Sequence, residues 1–164
     1  MSTSTLHFMC GKVGAGKSTL AKALCVQHQA TLMCEDVWLA RLFPDELVSF
    51  DDYVKYTRRI KTVVGPLVIE LLQRQSVVLD FPANTVATRA WFRSIFEAAG
   101  VPHVLHWVDT PEPQCLAQIA RRNIERPEGS HEITEAMFHH ISTFFEAPAP
   151  AEGFNVQIHP CLTG

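Results

Sequence analysis

Short apolar runs alternate along the chain with longer stretches whose apolar residues recur every three to four positions. Leu6–Cys10, Thr31–Cys34, Val77–Asp80, His103–Val108 and Phe154–Ile158 have the length and composition of strands. Between them lie helical patterns. Thr19–Val26 carries Leu20, Ala23 and Leu24 on one face, and Trp38–Phe43 stops at Pro44. A long pattern from Asp52 places Tyr53, Tyr56, Ile60, Val63, Val64, Leu67 and Leu71 together, with Gly65-Pro66 expected to kink or split it. Thr88–Ala99 is closed by Gly100. Thr110-Pro111 opens a helix that carries Leu116, Ile119 and Ala120, with Thr110 as its expected cap. A last helix spans about Thr134–Phe145. Val77-Val78-Leu79 shows no alternation, as in a strand buried on both faces. The order predicts an α/β fold, a three-layer α/β/α sandwich around a parallel five-stranded sheet, in one domain over 1–164. Ligands of such sheets bind beyond the C-terminal strand ends, where the strand order switches.

The composition suits a packed domain: 47% of residues are hydrophobic and the mean hydropathy is +0.06. No apolar run approaches the ~20 residues of a membrane span, and Gly11-Lys12 cuts the first one short, which argues against a signal peptide. The five cysteines (Cys10, Cys25, Cys34, Cys115 and Cys161) are odd in number and form no CxxC pair, so reduced thiols and a cytoplasmic location are expected. The eight histidines lack metal-ligand spacing: His139 and His140 point apart on a helix, and His103 and His106 face opposite sides of a strand. A net charge of −3 and a pI near 6.2, without a basic run, argue against a nucleic-acid partner.

One segment carries chemistry of high specificity. Gly11-Lys12-Val13-Gly14-Ala15-Gly16-Lys17-Ser18-Thr19 fits GxxxxGK[ST], and it follows a strand and opens a helix, the setting this motif requires. Glycines at 11, 14 and 16 let successive N–H groups of Gly11–Thr19 converge on phosphate beside the positive end of a helix. Lys17 is expected to reach the outer phosphates and Ser18 to ligate Mg²⁺. The donor is then a nucleoside triphosphate, ATP foremost, with GTP left open.

Residues just past the other strands should face the same phosphates. Glu35-Asp36 follows the second strand, where a carboxylate can take a proton from an acceptor hydroxyl; the structural alternative is a helix cap. Asp80 ends the third strand as a carboxylate for Mg²⁺, and Asn84 and Arg89 beyond it are candidates for the acceptor or a phosphate. Arg122 and Arg126 share a helix face before Pro127-Glu128-Gly129-Ser130. A lid over about 121–133 could bring them onto the phosphates and exclude water. Trp38, Trp91 and Trp107 are read as core.

These stretches (GKVGAGKST, CEDVWLARLFP, VVLDFPANTVATRAWF and RRNIERPEG) resemble the small P-loop kinases that include zeta toxins, chloramphenicol phosphotransferase and the kinase domain of polynucleotide kinase. The resemblance spans nearly the whole chain. It implies a nucleotide-kinase-like sheet with the phosphate loop on a central strand, Asp36 as the base, and Arg122 or Arg126 as the lid arginine. Two departures stand out: Glu35 beside Asp36, and Phe81-Pro82 where the family has a smaller turn.

Between positions 35 and 52, Glu35, Asp36, Asp45, Glu46, Asp51 and Asp52 are opposed only by Arg41. If these acids line the acceptor pocket, a cationic acceptor is favoured, such as an aminoglycoside-like amino sugar phosphorylated in antibiotic resistance. If they form a solvated surface, nothing follows. The chain is thus read as a kinase acting on a small-molecule hydroxyl. The alternatives are a P-loop ATPase, a nucleotide-binding module, or a nucleoside or polynucleotide kinase.

Overall fold

The computed structural model describes residues 3–160; Cys161, one of the thiols read above, lies outside the described residues. The elements in chain order are β1 (Leu6–Cys10), α1 (Lys17–His28), β2 (Thr31–Cys34), α2 (Glu35–Leu42), α3 (Phe50–Leu72), β3 (Val77–Pro82), α4 (Val86–Ala99), β4 (His103–Val108), α5 (Glu112–Glu125), α6 (Glu135–Ser142) and β5 (Val156–His159). The strands form one sheet in the order β2-β3-β1-β4-β5, and every pairing is parallel. The strand that leads into the phosphate loop is therefore central, and the chain switches direction across the sheet there.

Alternate residues of each strand feed two cores. Leu6, Phe8, Val77, Leu79, Phe81 and Leu105 pack under α3 and α4, where Phe8 stacks on Phe92. Met9, Val78 and Val108 pack under α1 and α5, with Phe138 of α6. Burial on both faces is why the strand sequences lack alternation. Trp38, Trp91 and Trp107 all pack against the first core.

Four local expectations are corrected. The helix expected to break at Gly65-Pro66 runs unbroken from Phe50 to Leu72. Pro66 lies on the exposed face, where water can satisfy the carbonyl it leaves free, while Val64, Gly65 and Val68 stay buried. The second helix begins at Glu35 rather than near Trp38, so Asp36 sits in its first turn and Cys34 occupies the cap. Thr110 does not cap α5; its hydroxyl donates to the carbonyl of Ala15 at 2.6 Å, tying the next strand's exit to the phosphate loop. The last helix ends at Ser142, and residues 143–149 continue as irregular chain.

A row of imidazoles crosses the face under α1. Nδ1 of His7 lies 3.0 Å from Nε2 of His106, and Nδ1 of His106 lies 2.9 Å from Nε2 of His159. His28 stacks on His7 at 4.4 Å. His103 points to the opposite face and stacks on Phe96.

Candidate active site

The phosphate loop is built by glycines that nothing else can replace. Gly14 has φ 77°, and a Cβ there would lie 2.6 Å from the Cys115 carbonyl oxygen and 2.8 Å from Ile119 of α5. Gly16, at φ 105°, caps α1 in a left-handed conformation. Lys17 opens α1 and curls its ammonium over the loop, donating to the carbonyls of Gly11 at 2.6 Å and Lys12 at 2.9 Å. Burial lowers its pKa, and the charge of Asp80 opposes that effect. Ala15 is buried, and Thr19 is exposed in the first turn of α1.

Around this loop the sheet gathers the expected side chains. Asp80, from β3, accepts a hydrogen bond from the Ser18 hydroxyl at 2.8 Å and one from the Cys34 thiol at 3.6 Å. Asn84 accepts from the Gly11 N–H at 2.9 Å, so the turn after β3 braces the start of the loop. Asp36 is half-buried, and its pKa is raised by burial and by the negative charge of Asp80. His131, when protonated, and the positive charges of Arg122 and Lys17 act in the opposite direction. A carboxylate held between those groups is near the phosphate loop and disposed to accept a proton.

Glu35 goes elsewhere. It is buried, accepts a hydrogen bond from the Tyr53 hydroxyl of α3 at 2.7 Å, and its pKa is pushed up to about 7 by burial. Successive residues of a helix diverge by about 100°, so only one of the pair can face the loop. Asp36 is the one of the pair on the side of Lys17 and Asp80.

The expectation that Arg89 contacts acceptor or phosphate is not met. Arg89 is 0% exposed, donates to both carboxylate oxygens of Glu152 at 2.7 and 3.2 Å, and to the Ala83 carbonyl at 2.9 Å. Its guanidinium ties the start of α4 to the turn before β5. Asn84 is the residue of this segment that reaches the phosphate loop.

The two lid arginines differ. Arg122 is half-buried and acts electrostatically on Asp36. Arg126 is exposed and ends α5 at φ 46°; it shares a small polar cavity with Arg122, Asn123, Ser130 and His131. Two contacts, both unforeseen, bring the following loop onto α2. Gly129, at φ 82°, lies so close that a Cβ would come within 2.9 Å of the Asp36 carbonyl carbon. Glu128 pairs with Arg41 through two bonds of 2.6 and 3.0 Å. His131 was also missed, because a lone histidine in a polar loop carries no spacing signal.

The acidic stretch read between 35 and 52 disperses on folding. Glu35 is buried, and Asp52 accepts from the Val48 and Ser49 N–H groups as the capping box of α3. The remaining acids, Asp45, Glu46 and Asp51, are exposed to solvent.

Comparison with known proteins agrees with this architecture. The chain superposes on Kti12 from Chaetomium thermophilum, solved with ADP-AlF3, with a TM-score of 0.68, 17% identity, and coverage of 94% of this chain and 88% of that one. It superposes on the Mycobacterium tuberculosis APS kinase CysC, solved with AMPPNP and APS, at TM-score 0.58 and 18% identity, covering 90% and 85%. For deoxyadenosine kinase from M. mycoides, solved with dCMP and dCDP, the values are 0.58 and 12%, covering 94% and 89%. Likeness at these identities shows the fold, that of P-loop kinases. No curated protein matches by sequence. The AAA domain family model matches residues 6–148. With its phosphate loop, its central β1 and that match over most of its length, the chain belongs to the AAA domain family and has a P-loop kinase-like nucleotide-binding fold.

Proposed function

We propose that the protein transfers the γ-phosphoryl group of ATP to a hydroxyl of a small molecule, with Asp36 as the base. The observation that carries this reading is the placement of Asp36, a half-buried carboxylate with a raised pKa, among Lys17, Asp80, Arg122 and His131. A nucleotide-binding module without chemistry has no use for such a group.

In the proposed reaction the loop N–H groups and Lys17 hold the donor phosphates. Asp36 takes the acceptor's hydroxyl proton as the oxygen bonds to the γ-phosphorus, and ADP leaves. Arg122 offsets the charge that spreads over the transferring group, and the loop over Asp36 keeps water out. Ser18 Oγ and Asp80 Oδ2, 2.8 Å apart, are hard oxygen donors that fit Mg²⁺. When bound, the ion would screen the charge of the outer phosphates.

The amino-sugar acceptor expected from the acidic stretch loses its main support, since Glu35 is buried against Tyr53, Asp52 caps α3, and Asp45, Glu46 and Asp51 are exposed to solvent. The acceptor class therefore stays broader, a hydroxylated small molecule. A coupled assay for ADP release tests the reading across aminoglycosides, chloramphenicol, nucleosides, UDP-sugars and oligonucleotide ends. Stimulation by a small hydroxylated compound supports it. ATP hydrolysis that ignores every acceptor and survives Asp36→Asn points to an ATPase instead.

A further inference from the structure

A second feature opens on the outer side of the phosphate loop, at Lys12 and Val13. After α6 the chain crosses the C-terminal edge of the sheet: Phe138 packs in the core under α1, and Phe145 packs against the core under α4. In crossing, it leaves a groove between the tip of the phosphate loop and the end of α6, lined by Lys12, Val13, Asn84, Ile141, Ser142 and Phe144.

Its chemistry is that of a binding site. Phe144 is 61% exposed and Ile141 39%, a costly display of apolar surface beside the phosphate loop. Asn84 uses its carbonyl oxygen on Gly11, and its amide N–H₂ has no partner among the described residues. Lys12 forms no ion pair among the described residues. The groove therefore sets an apolar wall of Phe144 and Ile141 beside Lys12 and the Asn84 amide.

We propose that this groove is a second small-molecule site, which takes a flat apolar ring bearing an anionic oxygen group such as a carboxylate. The ring lies against Phe144 and Ile141, and the anion meets Lys12 and the Asn84 amide. Through Asn84 an occupant would press directly on the first residue of the phosphate loop. The site stands independently of whether phosphoryl transfer occurs.

The test uses the full chain and three probes with one ring: 2-naphthoate, 2-naphthylmethanol and 2-naphthylmethylammonium. Binding is measured by calorimetry, with and without ADP and Mg²⁺. The expected result is that naphthoate binds about tenfold more tightly than the ammonium probe, a difference of roughly one ion pair in a partly buried site. Phe144→Ala and Ile141→Ala should each weaken naphthoate at least about threefold, while a fluorescent ADP analogue binds as before. Both side chains lie away from the phosphate loop's own hydrogen bonds, and circular dichroism checks the fold of each variant. Equal binding of the three probes, or no change in Phe144→Ala, would overturn the proposal. Competitive displacement of naphthoate by ADP would overturn it too, because the groove would then be part of the nucleotide site. Failure of the fluorescent ADP analogue to bind the unmodified protein would count against the kinase reading and leave the groove's result to stand or fall by its own probes.

Discussion

Neighbouring carboxylates on α2 meet opposite fates, and the difference can be measured. Glu35 is buried against the Tyr53 hydroxyl, whereas Asp36 faces Lys17 and Arg122. Asp36→Asn should lower acceptor-dependent turnover by at least about a hundredfold, the usual worth of a positioned base, with ADP affinity little changed. Glu35→Gln keeps an acceptor for Tyr53 and should leave turnover within about threefold of the parent. A reversed ranking in the coupled assay would make Glu35 the base. The imidazole row gives a second prediction at this scale. Burial lowers His7 from 6.5 to about 4 and His106 from 6.5 to about 3, and the neighbouring imidazoles His28 and His159 add only repulsion. The unfolded chain thus binds more protons than the folded one below pH 6.5. This contribution to stability is complete above that pH and is lost as pH falls toward 3. Thermal unfolding should occur progressively lower below pH 6.5, and ¹⁵N spectra at pH 5.5 should show His7 and His106 neutral. Protonated signals from both at pH 5.5 would contradict the burial argument.

At the scale of elements, what could be read in advance depended on how local its cause was. The phosphate loop and the five strands were legible because glycine spacing and unbroken apolar runs act within a few residues. Pro66 misled because its cost depends on which face of α3 it occupies, a matter of tertiary packing. Arg89 misled for the same reason: its partner Glu152 is sixty-three residues away along the chain. The lid was legible only as a segment. Nothing local reveals that Gly129 rests on the backbone of Asp36. That contact predicts that Gly129→Ala, which forces a Cβ into a position within 2.9 Å of Asp36 and strains a φ of 82°, will displace the loop from α2. Turnover should fall about tenfold or more, while affinity for ADP moves less, since the loop of Gly11–Ser18 is untouched. The Arg41–Glu128 pair is exposed and contributes little to stability. If the pair orients the loop on α2, exchanging the two charges in Arg41→Glu with Glu128→Arg should recover much of what either change loses.

For the molecule as a whole, the parallel sheet sets the site at the ends of β1, β2 and β3, and distant contacts keep those ends in register. The buried Arg89–Glu152 pair joins α4 to the turn before the edge strand β5. Glu152→Ala leaves a fully buried guanidinium without its counter-ion and should cost about 3 kcal/mol in chemical unfolding, whereas an exposed pair would cost almost nothing. The central claim is narrower: Asp36 and Lys17 act together on a phosphoryl group that passes to an acceptor. It is tested most directly by following label from [γ-³²P]ATP when the protein is incubated with a pool of hydroxylated small molecules. The account predicts a labelled organic phosphate that disappears with Asp36→Asn and with Lys17→Ala. Label recovered only as inorganic phosphate, in equal amount from the parent and Asp36→Asn, would contradict it.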